Sequence, residues 1–357
     1  SDAHRGRGGV SIRTRRHRAA GSSGRSALSM VVLPFLRWVK RWGISIFSLS
    51  LGLATLFVFR RGLPHVGWIV GYLLLLWLLI VVVAELRAPL ESKRQRLVVD
   101  AVDYVIQSLH HGLLLFVLPA YWASATLDSV NVIFFAGVVA GALITAIDPW
   151  YAAIVHPRPW LNQILLGFSI FAALNVALPL VRIKPIFALE GAAALSLLAM
   201  TPVFRDRGAL TWRHAHSRAV ALAVVAMVAV WFGRAAVPPA PLFVARATVA
   251  RGVTNLEPLE PVSSPIPASS VASWGGLTAY TAVYAPAGLE QAISHQWWKD
   301  GRLIGIAPLS PVRGGRKEGF RTYSRRDIKP PYEGRYHVDV VTASGQLIGR
   351  LRFTVVP

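Results

Sequence analysis

Three groups of charged or polar residues lie within apolar sequence, where they could carry chemistry. The first is Asp148, His156 and Arg158, in the segment IDPWYAAIVHPRPWLNQ (residues 147–163). A carboxylate, an imidazole and a guanidinium in one loop could bind a phosphate or a lipid head group. The other interpretation is an aromatic belt around one orienting arginine, as is typical of a membrane surface. We favour the belt and keep the binding site as the alternative.

The other two groups lie inside apolar segments, where an ionisable side chain is costly and often functional. Glu190 lies about one turn inside one segment, and Arg234 lies near the end of the last one. We predict a structural ion pair at one membrane interface, between Glu190 and Arg234 or between Glu190 and Arg182 or Lys184 of the preceding loop. A transport site at Glu190 is the alternative. His110 and His111 are adjacent, so on a helix they point about 100° apart and cannot share one partner. We interpret them as packing or interfacial residues.

Several kinds of chemistry lack the residues they need. The chain has no cysteine, which excludes disulfides, thiol catalysis and Cys-ligated metal sites. It also has no phosphate-binding glycine loop, no dinucleotide-binding fingerprint, no nucleophile elbow and no HExxH zinc motif. No set of histidines and carboxylates has the spacing of metal ligands. We therefore expect no metal and no cofactor, and we favour a protein without enzymatic activity.

Seven apolar segments must position these residues, since 54% of the chain is hydrophobic and its mean hydropathy is +0.48. Each is roughly 17–25 residues long, which is enough to cross a bilayer. They predict an α-helical membrane bundle of about seven transmembrane helices. The segments are 43–59, 67–84, 105–126, 131–149, 162–181, 186–203 and 218–236.

Lysine and arginine predict the orientation of this bundle, because cytoplasmic loops carry an excess of basic residues. With the N-terminus inside, the cytoplasmic segments hold nineteen Lys and Arg residues and the outer loops hold four. An odd number of spans then places residue 238 and everything after it outside. We expect a bacterial inner-membrane protein with a cytoplasmic N-terminus and a periplasmic C-terminal domain.

The composition divides the chain into four parts. Residues 1–42 hold ten Lys and Arg residues and predict a basic, disordered cytoplasmic tail beside anionic lipid. Nucleic acid is a less favoured partner, because no aromatic residues alternate with the tail's arginines. Residues 43–237 form the seven-span domain, and residues 238–272, rich in Pro, Ser and Val, predict an extended linker. In residues 273–357 the apolar period becomes two, which predicts an extracytoplasmic β-sandwich.

One hairpin of the predicted sandwich places two adjacent tryptophans on opposite faces. Asp300-Gly301 is a strong turn signal between two β-prone runs. Strand alternation then predicts that Trp297 points into the core. It leaves Trp298 exposed beside Gln296 on the other face, so we assign Trp298 and Gln296 to partner binding.

Two polar positions of the sandwich receive no functional role. His295 falls on the inner face, and we predict a buried, hydrogen-bonded histidine rather than a ligand or catalyst. In the last hairpin Asp339 faces Arg350 and Arg352 across the strands. We interpret that contact as a surface ion pair of small energetic value.

The predicted sandwich is itself basic, with 14 Lys and Arg residues against 8 Asp and Glu residues after residue 238. Seven of the basic residues lie within residues 313–329, among them Arg321, Arg325 and Arg326. They could bind an anionic envelope polymer or an acidic protein, or they could form a solvated loop. We assign Arg321, Arg325 and Arg326 to partner binding together with Trp298.

A series of motifs runs through the C-terminal third of the chain. They are HQWWKDGRLIG (295–305), GFRTYS (319–324) and GRYHVDVVTASGQLIGRLRFTV (334–355). The series resembles an uncharacterised family of bacterial C-terminal β domains of unknown function. The family pattern is His-x-Trp, an Asp-Gly turn, Arg-Thr-Tyr-Ser and a closing Arg-x-x-Phe. The resemblance implies an immunoglobulin-like sandwich on a membrane anchor and implies no activity, and Tyr336 stands where the family commonly has Trp.

These features predict a non-enzymatic accessory or scaffold subunit of the inner membrane. Its periplasmic β domain would meet another membrane or periplasmic protein, or an anionic envelope polymer, while lipids surround the bundle. The alternative is a membrane transporter or a lipid-modifying enzyme. It would use Glu190, or the loop with Asp148, His156 and Arg158.

Overall fold

A computed structural model describes residues 96–205 and 211–357, with side chains from residue 106 onward. The first part is helical, because long apolar runs satisfy their backbone hydrogen bonds most easily within helices. Pro159 and Pro185 each begin a helix, at the position where a missing N–H costs nothing. The helices are α1 (Arg96–Ser124), α2 (Val132–Ala146), α3 (Asp148–Trp150) with a π-helical turn (Tyr151–Val155), α4 (Pro159–Leu180), α5 (Pro185–Ala199), α6 (Thr201–Arg205), α7 (Trp212–Phe232) and a 3-10 turn (Arg234–Ala236).

Three helices of the described part are long and apolar enough to cross a membrane, where the sequence predicts five. They are Pro159–Leu180, Pro185–Arg205 and Trp212–Phe232. A fourth exists only if α2 and the segment Asp148–Val155, which meet at a 96° bend, form one broken span or a re-entrant loop.

The remaining predicted spans have different outcomes. Most of the span predicted at 105–126 lies in α1, which is long but is not among the candidate spans of the described residues. The spans predicted at 43–59 and 67–84, and the tail predicted at 1–42, lie outside the described residues.

The second part is β-rich and contains two main antiparallel sheets. In sheet A the strand order is β2-β1-β4-β9, and in sheet B it is β3-β11-β10-β6-β7, with β3 parallel to β11. A small third sheet pairs β5 with β8. The strands are β1 (Phe243–Thr254), β2 (Glu257–Val262), β3 (Ile266–Pro267), β4 (Leu277–Tyr284), β5 (Glu290–Gln291), β6 (Ile293–Lys299), β7 (Arg302–Pro308), β8 (Val312–Arg313), β9 (Phe320–Arg326), β10 (Gly334–Thr342) and β11 (Leu347–Val356), and α8 (Ala268–Trp274) lies between β3 and β4.

The predicted linker at 238–272 is wrong, because most of it belongs to the sheets. Strand β1 pairs with β4 along its length, and β2 adds the edge of sheet A. Proline fits at such an edge, where a strand needs fewer donors, and Pro258 and Pro261 both lie in β2. The prolines correctly indicated an extended chain. They gave no information on its pairing with β4, which follows later in the sequence.

The two sheets share one core between them. Trp297 is 1% exposed and packs in the same cluster as Leu277 and Ala279 of sheet A and Val338 and Phe353 of sheet B. The predicted core position of Trp297 is confirmed. Asp300 and Gly301 both have positive φ, which confirms the two-residue turn between β6 and β7.

Candidate functional site: the contact between sheet B and the helix ends

The outer face of sheet B meets the ends of the helices, and its side chains form a regular grid. Paired residues of antiparallel strands point to the same side, so the strand register gives the rows directly. From the free edge β7 inward, one row reads Leu303, Trp298, His337 and Arg352, and the next reads Ile306, Gln296, Asp339 and Arg350.

Arg350 links this face to the loop between α1 and α2. Its guanidinium binds Asp339 twice, with Nε at 2.5 Å from Oδ1 and Nη2 at 2.8 Å from Oδ2. Its Nη1 lies 3.2 Å from the Asp128 carboxylate, and Arg352 also contacts Asp128. Asp339 is 6% exposed, so the predicted pairing with Arg350 is confirmed and the predicted exposure is wrong. The α1–α2 loop covers this pair. The bond from Arg350 to Asp128 is therefore a charge-assisted contact between the helical region and the β region.

Polar contacts at the β10–β11 turn complete the attachment. Arg234 Nε donates to the Ser344 carbonyl at 2.6 Å, and Gln346 Nε2 donates to the Val237 carbonyl at 3.4 Å. Asn131 Nδ2 donates to the Leu347 carbonyl at 3.4 Å. The β region is therefore fixed to two separate helix ends, the α1–α2 loop and the segment that follows α7.

A cavity of about 630 Å³ lies between the α1–α2 loop and sheet B. From the sheet, Gln296, Asp339 and Arg350 line it together with the apolar Val341 and Leu347. The α1–α2 loop contributes Asp128 and Ser129, and the aliphatic residues beside them are strongly exposed, at 63% for Leu127 and 66% for Ile133. The cavity therefore has polar and apolar residues on both of its sides.

Trp298 is half-buried rather than exposed, because a histidine covers it. Its ring stacks on His337 with centroids 5.6 Å apart and planes 11° from parallel. Burial lowers the pKa of His337, Asp339 opposes this effect and Arg350 adds to it. Within the part of the chain that the structure describes, the indole Nε1 of Trp298 has no hydrogen-bond partner.

His295 belongs to a buried polar network between the two sheets. Its Nε2 lies 3.0 Å from the Thr281 hydroxyl and its Nδ1 lies 2.8 Å from the Ser324 hydroxyl. Trp297 Nε1 donates to the same Ser324 oxygen at 2.9 Å, and Thr322 lies 2.9 Å from Thr281. Burial lowers the pKa of His295 to about 4. The predicted buried, hydrogen-bonded histidine is confirmed.

The three arginines assigned to partner binding lie away from Trp298, because β9 belongs to sheet A. Arg321 binds Glu257 at 2.7 Å, and Arg325 donates to two backbone carbonyls at 2.6 and 2.8 Å. Arg326 donates to the Ile304 carbonyl, which joins the edge strands of the two sheets. Trp298 and these arginines therefore do not form one surface.

None of the ion pairs predicted for Glu190, with Arg234, Arg182 or Lys184, is present among the described residues. Arg234 instead binds Ser344 and the Trp231 carbonyl. His110 is 0% exposed and His111 is 3% exposed, in agreement with packing positions. His111 Nδ1 lies 3.3 Å from the Ala142 carbonyl.

In the described residues, the side chains of Asp148, His156 and Arg158 have separate surroundings. Gln107 Nε2 donates to Asp148 Oδ1 at 2.8 Å. Arg158 Nη1 donates to the Ile154 carbonyl at 2.8 Å, near the end of the π-helical turn. His156 is exposed. In the described ranges no group of three His, Asp or Glu residues is placed to hold a metal ion.

Sequence reasoning missed Asp128 and Asn131, the residues of the α1–α2 loop that bind sheet B. Their only local signal is the polar turn TLDSVN between two apolar segments, which is typical of any loop. Asp339 and Arg350 were found as a pair, but strand alternation gives no information on what covers that face.

The fold and these contacts define a helical protein with candidate membrane spans and a two-sheet β region fixed at one end. The chain belongs to a family of unknown function, DUF5924, which matches residues 25–274. A second family model, protein of unknown function DUF2914, matches residues 290–355. These matches confirm the resemblance to an uncharacterised family with a C-terminal domain of unknown function. No curated protein and no solved structure matches the chain significantly.

Proposed function

We propose that this chain is an integral protein of the bacterial inner membrane and a non-enzymatic accessory or scaffold subunit. Exposed tryptophans support membrane insertion, because they lie near both ends of the helices, as in the belts of membrane proteins. Trp122 and Trp231 lie near the β region, and Trp150, Trp160 and Trp212 lie near the other end. The two in α7 are separated by about 28 Å along the helix, close to the thickness of a bilayer core.

The orientation follows from the basic residues, with the β region periplasmic and the N-terminus cytoplasmic. Cytoplasmic loops carry an excess of Lys and Arg, and the described segments at the helix ends distant from the β region contain Arg158, Arg205, Arg213 and Arg218. The three loops nearest to the β region, around 125–131, 181–184 and 233–242, carry few basic residues.

We also propose that the β region is an immunoglobulin-like sandwich. Strands β1, β4 and β9 in one sheet and β7, β6, β10 and β11 in the other match the strand order of the fibronectin-type relatives of that fold. Trp297 occupies the central buried position of β6, which is the third strand along the chain among the seven named above. Tyr336, near the start of β10, donates from its hydroxyl to the Tyr332 carbonyl at 2.8 Å, as does the tyrosine corner of such domains.

The observation that carries the functional proposal is the fixed attachment of sheet B to the helix ends. Because sheet B faces the helices, the outer face of sheet A points away from the membrane and is available to a partner. Arg246 and Arg321 flank Glu257 on that face, at 3.6 and 2.7 Å, and Tyr323 is 47% exposed between Arg321 and Arg325. The net positive charge of the β region favours an acidic protein or an anionic envelope polymer.

The transporter or lipid-modifying enzyme is the weaker proposal. Asp148 and Arg158 bind other parts of the helical region, and Arg234 binds the β region. No described observation brings these residues together around a substrate.

Purification of the full chain from native membranes in mild detergent tests the scaffold proposal. We expect a stoichiometric partner whose association weakens with salt and is lost in the Arg321→Glu/Tyr323→Glu variant. Arg213→Glu, at the opposite end of α7, is the matched control and should retain the partner. A lone chain in every preparation, with no difference between the variants, would refute the proposal.

A further inference from the structure

Among the described residues, the β6–β7 side of the outer face of sheet B carries exposed apolar side chains. The rows that carry Asp339, Arg350 and Arg352 at one side continue toward the edge strand β7. There Leu303 is 45% exposed and Ile306 is 57% exposed. The strand register pairs Leu303 with Trp298 and Ile306 with Gln296, so these side chains share the face that docks onto the helix ends.

The position of this face relative to the helices places it at the level of the membrane surface. Trp231 lies near the end of α7, and Arg234, three residues later, already binds the β10–β11 turn at Ser344. The β region thus begins directly beyond the aromatic belt. Strands are spaced about 4.8 Å apart, so β7 lies roughly 14 Å to the side of β11, which contacts Asp128.

The residues beside this edge suit a lipid surface. Arg302, Arg335 and Arg352 are exposed on or next to the same face. Arg352 contacts Asp128, and Asp300 and Glu333 are the acidic residues closest to the other two along the strands. The cavity beside Gln296 of β6 also exposes the aliphatic residues Leu127, Val130 and Ile133, next to Asp128 and Ser129. Aliphatic side chains surrounded by arginines fit the boundary between acyl chains and phosphate groups.

We infer that the β6–β7 edge of sheet B, with Trp298, Leu303 and Ile306, lies on the outer leaflet of the bilayer as a second attachment beside the helix contacts. A lipid occupant is favoured over a protein because this face continues an interface with the helix ends and ends in basic residues. The inference rests on the proposed membrane insertion and does not depend on the proposed partner.

The absence of cysteine allows a direct test by single labels. Ile306→Cys in the full chain is labelled with an environment-sensitive fluorophore and placed in nanodiscs of phosphatidylethanolamine and phosphatidylglycerol. We expect blue-shifted emission and several-fold stronger quenching by a shallow spin-labelled lipid than at Tyr323→Cys. Tyr323 is the matched control, since it has similar exposure and lies on the opposite face.

A third label separates the two proposals. Val224→Cys lies in the middle of α7, where the side chain is 56% exposed, and it should be quenched by lipid if α7 spans the bilayer. Quenching at residue 224 without quenching at residue 306 overturns the inference alone. A label at 306 that is shielded from aqueous iodide but not quenched by lipid indicates a protein occupant and also overturns it. Loss of quenching at residue 224 overturns membrane insertion itself.

Discussion

His295 is buried together with three hydroxyl groups and an indole, so every change at this position affects both sheets. Its two ring nitrogens accept or donate to Thr281 and Ser324, which lie in different strands of sheet A. A buried polar group is tolerated when its partners are present and is costly when one is lost. The network therefore fixes how sheet B packs on sheet A in a chain without disulfides.

Acid should destabilise the β region through His295. Burial lowers its pKa from 6.5 to about 4, so the imidazole is neutral in both states above pH 6.5. Between pH 6.5 and 4 the unfolded chain takes up a proton that the folded chain does not. The free energy of unfolding should then fall by about 3 kcal/mol in total, measured as unfolding midpoints across this pH range. In His295→Gln this part of the pH dependence should disappear, and an unchanged slope would contradict the assignment.

At the scale of elements, the α1–α2 loop does more than connect two helices. It supplies Asp128 to two arginines and Asn131 to the Leu347 carbonyl. On the β region, the β10–β11 turn supplies Ser344 and Gln346, which bind Arg234 and the Val237 carbonyl after α7. Two short connections, distant in sequence, therefore hold a helical region and a β region together.

Asp128→Asn should loosen this contact without unfolding either region. The substitution removes the Asp128 negative charge, which pairs with Arg350 and Arg352. The loss of a half-buried charged hydrogen bond costs about 1–2 kcal/mol. Hydrogen exchange should accelerate in residues 125–131 and 344–347, by roughly tenfold. The control Glu257→Gln removes a carboxylate from the outer face of sheet A and should leave these amides unchanged. Equal effects of the two variants would argue against an attachment through Asp128.

The two family matches leave residues 275–289 of the β region between them, so neither matched segment contains both complete sheets. The match at 290–355 lacks β1 and β4, which supply Val249, Leu277 and Ala279 to the core around Trp297. A fragment of residues 288–357 should therefore remain unfolded, because one face of Trp297 would lose its cover. A fragment of residues 240–357 should fold, as judged by dispersed NMR signals. Folding of the shorter fragment would show that sheet B is stable alone.

At the scale of the whole molecule, the β region has one fixed position on the helices. Its contacts come from the α1–α2 loop and from the segment after α7. Fixation at more than one point distinguishes this arrangement from a domain on a linker. It directs sheet B toward the helices and sheet A away from them.

Cross-linking in the Cys-free chain should detect this fixed position. Asp128→Cys with Arg352→Cys should react efficiently with a short bismaleimide, because the two side chains are in contact and both are accessible to solvent. Asp128→Cys with Tyr323→Cys should not react, since Tyr323 lies on the opposite sheet face. Similar yields for both pairs would indicate a mobile domain and would contradict the attachment.

Much of the fold could be predicted from local pattern. The apolar runs at 162–181, 186–203 and 218–236 correspond to candidate spans, and the alternation around Trp297 and Tyr336 assigned both to the core. The predicted linker and the predicted Glu190–Arg234 pair were wrong for a common reason. Both depend on which distant segment lies beside the residue, and neither composition nor period contains that information.

Strand alternation was enough to predict which side of each strand is apolar, and therefore that Trp297 is buried while Trp298 points outward. It also predicted that Asp339 would pair with Arg350 or Arg352, since these residues lie on one face of a hairpin. Three features depend on packing between distant segments: the α1–α2 loop covers Asp339, His337 stacks on Trp298, and Arg321 belongs to the opposite sheet. Strand periodicity is a local consequence of backbone geometry, whereas the cover of a face is chosen by residues that are remote along the chain.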